Sequence, residues 1–130
     1  MMVLDTHVWL WWINQDMNTL RPGWSEAIQQ APRLGVSAIS CFEVAWLEKH
    51  GRIELPCSRG IWFEKALAGS GVELLPITPE IARAAVDLVE HHRDPQDRII
   101  IATALVHDAQ LLSADGKFVL YEELAGKLMA

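Results

Sequence analysis

The sequence predicts an α/β domain built on a mainly parallel sheet. Short apolar runs alternate with longer segments of helical character, the pattern of strand–helix–strand units. Helix-start chemistry stands between them, with Thr78-Pro79 and Asp94-Pro95 as cap and first-turn pairs. Carboxylates follow the apolar runs, where open sheets of this class keep their ligand sites.

The elements follow in order. Residues 2–5 read as a short buried strand ending at Asp5, and the Trp-rich stretch 6–13 as a helix. A polar loop covers 14–21, Pro22 opens a short helix over 23–30, and Pro32 ends it. Residues 34–37 suggest a second strand. A helix over 40–50 takes Ser40 as N-cap and Gly51 as stop signal. Residues 61–68 form the next helix, closed by Gly69-Ser70-Gly71, and 72–76 a strand. Thr78 caps a helix reaching about His91. Asp94 caps another that reaches about His107, with Pro95 and Asp97 in its first turn. Residues 111–113 make a last short strand, and 118–128 is amphipathic, expected as a terminal helix. Neither repeats nor low-complexity tracts interrupt the pattern.

At 130 residues, 51% of them hydrophobic, one domain over 1–130 is expected. The net charge of −6 argues against holding nucleic acid by charge alone. It fits a site that takes up cations, or a basic partner segment. Cys41 and Cys57 have no metal-type spacing and read as reduced thiols. No apolar run is long enough for a membrane span, and the N-terminus lacks a basic leader, so a cytoplasmic location is expected.

The chemistry lies in the acids. Asp5 ends the apolar run Met2-Val3-Leu4, and Glu43 sits in a helix with Trp46 and Leu47 at helical spacing. Asp97 precedes Ile99-Ile100-Ile101-Ala102, and Asp115 follows Leu111-Leu112-Ser113-Ala114. Buried acids are costly unless paired or bound to a metal, and converging acids repel one another without a cation. A divalent cation is therefore expected, with phosphodiester hydrolysis as its leading use. Each acid also has an ordinary reading: Asp5 as a turn or cap, Glu43 paired with Lys49, Asp97 as a dipole partner, Asp115 as a turn residue. N-capping accounts for Asp94 almost completely.

Four blocks, in order, resemble the motifs of PIN-domain ribonucleases, especially VapC-type toxins of toxin–antitoxin pairs. They are Leu4-Asp5-Thr6-His7-Val8-Trp9-Leu10-Trp11-Trp12, Ser37-Ala38-Ile39-Ser40-Cys41-Phe42-Glu43-Val44-Ala45, Arg93-Asp94-Pro95-Gln96-Asp97-Arg98-Ile99-Ile100-Ile101-Ala102-Thr103-Ala104, and Leu111-Leu112-Ser113-Ala114-Asp115-Gly116-Lys117-Phe118. The resemblance implies a three-layer α/β/α PIN fold, a metal-dependent endoribonuclease, a cognate antitoxin partner and a homodimer. It matches Asp5, Glu43, Asp97 and Asp115 to the acidic quartet, and Thr6, Thr103 and Ser113 to hydroxyl positions beside it. Asp94 belongs to a variant of the third motif, as an auxiliary acid or the cap alone. Many such toxins end on another short strand, from which the amphipathic tail departs.

Hard oxygen ligands suit Mg²⁺ or Mn²⁺, which would activate a water against an RNA phosphodiester. Glu43 is ligand or general base. Lys49, Arg52, Arg93, Arg98 and Lys117 are candidate phosphate contacts by chain proximity, with solvated surface as the plain alternative. The six tryptophans invite a base-stacking role, but most are expected in the core. Trp11 and Trp12 stand about 100° apart on a helix, so one is free to lie in a groove for a partner helix. His7, His91 and His92 match no standard metal spacing. Two rivals remain: a catalytically silent PIN-fold binding module, and a receiver-type or phosphoryl-transfer α/β domain with Lys117 as its late lysine.

Overall fold

The computed structural model describes residues 1–90 and 94–130. Five strands form one sheet: β1 (Met2–Leu4), β2 (Leu34–Ser37), β3 (Val72–Leu75), β4 (Gln110–Leu112) and β5 (Leu128–Met129). Their spatial order is β3-β2-β1-β4-β5, and every pairing is parallel. Helices α1 (Thr6–Ile13), α2 (Trp24–Gln30), α3 (Ala38–Lys49), α4 (Arg59–Ala66), α5 (Pro79–Asp87) and α6 (Pro95–Val106) complete the described elements with short 3-10 turns.

Alternation along the strands sends side chains to both faces. Met2, Leu4, Val36, Val72 and Leu112 join one buried cluster with Trp9, Trp24, Ile28, Val44 and Trp62. Val3, Leu75 and Leu111 join another with Ile100, Ile101, Ala104, Phe118, Tyr121 and Leu124. Apolar layers on both sides of a parallel sheet give the three-layer sandwich expected. Trp9 and Trp62 lock α1 to α4 edge-to-face at 5.0 Å, and each indole N–H finds an acceptor, Ala66 O and Asn14 Oδ1. Among the described residues no helix is long and apolar enough to cross a membrane.

Three expectations are corrected. The third helix begins at Ala38, because Ser37 ends β2 and caps it through the Ile39 N–H at 3.2 Å. Ser40 is thereby a buried residue of the first turn, free for another partner. The helix after Thr78 stops at Asp87 rather than near His91, with Leu88 already extended. The tail is not a terminal helix. Two 3-10 turns, Phe118–Leu120 and Glu122–Leu124, precede β5. Phe118, Tyr121 and Leu124 recur every third residue, so a three-residue turn buries all three on one side. Gly126, at φ 77°, then turns the chain into the edge strand.

Candidate active site

The strand order reverses at β1, with β2 on one side and β4 on the other. A crevice opens at the carboxyl ends of strands at such a switch point. Asp5 follows β1, and Ser113 follows β4. Asp5 is buried and caps α1: Oδ1 accepts the Thr6 N–H at 2.8 Å and Oδ2 accepts the Ser113 hydroxyl at 2.7 Å. Ser113 Oγ also accepts the Asp115 N–H at 3.0 Å, tying the fourth acid to the first. Asp115 Oδ1 in turn accepts the Lys117 N–H.

Glu43, on the second turn of α3, is half-buried. Its Oε1 lies 2.7 Å from Thr6 Oγ1, which lies 2.8 Å from the buried Ser40 Oγ. One hydroxyl proton serves the carboxylate, so Ser40 supports Thr6 from behind. The shift of the helix start to Ala38 is what makes this contact available. Asp94 caps α6 through the Gln96 N–H at 3.0 Å and is exposed, while Asp97 is half-buried in the first turn.

Asp5, Glu43, Asp94, Asp97 and Asp115 all line one pocket of about 400 Å³, with His7, Trp11 and Ala114. Their proton affinities record the crowding. Burial holds Asp5 and Glu43 above the usual carboxylate range, against hydrogen bonds from Ser113 and the Thr6 N–H on Asp5 and from Thr6 on Glu43. Asp97 is pushed up to about 8, first by burial and then by Asp94, Asp5, Asp115 and Glu43.

Such a donor set, all carboxylate oxygen and mutually repelling, fits a hard divalent cation. Among the described residues no group of three or more His, Cys, Asp or Glu side chains is placed to hold a metal ion directly. The carboxylates line the pocket without closing on one point, so a cation there would be held in part through its own waters.

A family model described as PIN domain matches residues 2–124. The chain belongs to the PIN-domain family. It is 39% identical over 114 residues to Ribonuclease VapC22 of Mycobacterium tuberculosis, covering 87% of this chain and 85% of that protein. Its fold is similar to VapBC2 from Rickettsia felis, solved bound to a DNA fragment from their promoter. That likeness has a TM-score of 0.67 at 16% identity, over 98% of this chain and 96% of the other. A toxin–antitoxin complex from Klebsiella pneumoniae gives 0.62 at 22%, over 100% and 97%.

The other sequence candidates distribute unevenly around this PIN pocket. Thr6 and Ser113 touch its acids, whereas the buried Thr103 donates to Ile99 O on its own helix at 2.7 Å and does not line the pocket. Arg98 is not a phosphate contact either. It is buried, and its guanidinium donates to the carbonyls of Leu88 at 2.6 Å, Val86 at 3.1 Å and Val89 at 3.3 Å, closing the end of α5. Lys49 lines a separate surface hollow with Phe42, Trp46 and His50, and Arg52 stands 5.8 Å over the Trp46 ring. Lys117 is exposed outside the pocket lining. Arg93, His91 and His92 lie outside the described residues.

Sequence reasoning gave no role at this pocket to His7 or Trp11. The available signal was positional: α1 begins directly after Asp5, so residues of its first two turns border whatever Asp5 serves.

Proposed function

We propose that this PIN domain, taken as one unit over residues 1–130, is a divalent-cation-dependent endoribonuclease and the toxin of a toxin–antitoxin pair. The convergence of five carboxylates at the β1–β4 switch point carries the reading. The identity to a protein named a ribonuclease supports the substrate class. Fold likeness to toxin–antitoxin complexes supports a protein antitoxin as partner, and a cytoplasmic setting and a homodimer belong to the same proposal.

Asp5, Asp97 and Asp115 would hold Mg²⁺ or Mn²⁺, with Asp94 as an auxiliary ligand at the rim. When bound, the cation neutralises charge on the phosphate and acidifies water. The chain's own groups do the rest. Ser113 and the Thr6 N–H fix both oxygens of Asp5, so its carboxylate does not reorganise as substrate arrives. Thr6, backed by Ser40, aims Glu43 into the pocket. Burial raises the proton affinity of Glu43, which makes its carboxylate a better acceptor for a proton from water. Water attacks phosphorus, one bridging P–O bond breaks, and the leaving oxygen regains a proton. A receiver-type reading is less well supported, because Lys117 stays outside the pocket.

The test is cleavage of an end-labelled single-stranded RNA by purified protein. Internal cuts are expected in Mg²⁺ or Mn²⁺, and none with a chelator. Equal cleavage in both, free of contaminating nuclease, would overturn the metal-dependent reading; no cleavage in any divalent ion would overturn the activity.

A further inference from the structure

The pocket is acidic on a protein of net charge −6, and among the described residues its lining holds no Lys or Arg; Arg21 stands at its edge, on the Ala114 carbonyl at 3.4 Å. Contacts that carry no charge penalty therefore have the larger part to play in substrate affinity beyond the cation. Among the described lining residues His7 and Trp11 supply the only rings; the others are the five acids and Ala114. They stand at i and i+4 on α1, neighbours on one face, with centroids 6.1 Å apart and planes inclined at 50°. His7 is exposed and Trp11 half-buried, so both rings keep surface toward solvent. The three tryptophans of α1 diverge. Trp9 is wholly buried, Trp12 faces a different groove with Asn14, Cys57 and Trp62, and Trp11 alone turns to the acids.

We propose that His7 and Trp11 form a stacking wall for an unpaired nucleobase of the substrate, seated beside the phosphate that the carboxylates address. This rests on the ribonuclease reading and extends it to a preference for single-stranded RNA. In a duplex the base faces are covered by neighbouring bases and cannot reach the wall. Stacking tolerates any base, because each has a π-face. The wall thus gives affinity and register without fixing a cleavage sequence.

The experiment is an anisotropy titration of a fluorescein-labelled, mixed-sequence, single-stranded RNA dodecamer, with Ca²⁺ as the divalent ion. It is paired with cleavage kinetics in Mn²⁺. Trp11→Leu keeps apolar bulk but removes the π-face, and is expected to weaken binding roughly 5- to 100-fold. KM should rise with kcat little changed. Trp11→Phe should stay within about 5-fold of wild type. With unaltered protein, the duplex and a dodecamer of abasic residues should both bind weakly, an arm that needs no variant to fold. Binding of Trp11→Leu within about twofold of wild type, or equal binding of abasic and normal RNA, would overturn the wall. The two readings fail separately. Base-dependent binding without any cutting removes the nuclease and keeps the wall, whereas cutting with an unchanged KM in Trp11→Leu does the reverse.

Discussion

Asp5→Asn is expected to reduce cation-dependent RNA cleavage by more than about 100-fold while leaving the fold intact. Losing an outer partner of a metal ligand already costs roughly 10- to 100-fold, and Asp5 is placed closer than that. Its carboxylate is the hub of the pocket, joined to Ser113 on one oxygen and to the Thr6 N–H on the other, and it raises the proton affinities of Glu43 and Asp97. The amide keeps the same shape. Its oxygen still accepts the Thr6 N–H, so the cap on α1 survives. Its NH₂ meets Ser113 Oγ, whose hydroxyl rotates to accept. Removing a crowded negative charge also relieves repulsion, so the melting temperature should hold or rise in chelator. Wild-type cleavage by Asp5→Asn, measured against equal folded protein by circular dichroism, would sink the site.

Arg98→Met should act in the opposite way, costing stability rather than touching chemistry. The guanidinium is buried and serves the carbonyls of Val86, Leu88 and Val89 where α5 ends. Of the three acceptors the Leu88 carbonyl is the buried one, and leaving it unmet costs about 1–3 kcal/mol, while the carbonyls of the exposed Val86 and Val89 can turn to water. Methionine fills much of the volume and returns none of the donors. A loss of about 1–3 kcal/mol is expected by denaturant titration, a fall in Tm of roughly 5–10 °C for a domain of this size. A phosphate-binding arginine would give the contrary pattern, unchanged stability with a raised KM, and that result would restore the role expected from its place beside Asp97.

These two residues show what was legible in the sequence. Asp5 could be placed because an apolar strand and a helix start meet at it, and local chemistry on both sides constrains a short side chain. Asp97 separated from Asp94 for the same reason, one within the first turn and the other its cap. Arg98 could not be placed. A long flexible stem reaches partners on another helix, and proximity in sequence says nothing of where the charged end settles. Thr103 failed similarly, since a helix offers every buried hydroxyl a carbonyl one turn back.

The sheet was legible because its strands are short, mostly apolar and bounded by caps, with Glu73 and Leu74 of the edge strand β3 as exposed exceptions. The tail was not. Its apolar residues at 118, 121 and 124 satisfy helical and 3-10 spacing alike, and only packing against Ile100, Ile101 and Ala104 decides. Ser40 was misread as a cap because Ser37, three residues earlier, offered the same chemistry and stood directly at the strand end. The positions of Trp11 and Trp12 followed from helix geometry alone, which separates adjacent residues by about 100°. Which of them would meet the acids required the fold.

The central claim is that the carboxylates form one cation site. The most direct measurement is calorimetric titration of Mn²⁺ into chelator-treated protein, at pH 8 and pH 6, in two buffers of different ionisation heat. Asp97, held at about 8 by burial and its neighbours, is largely protonated at pH 6 and must release its proton to accept a cation. The expected result is saturable binding that weakens as pH falls, with protons released on binding, and none in Asp5→Asn. Absence of binding at pH 8, or binding indifferent both to pH and to Asp5, would contradict it.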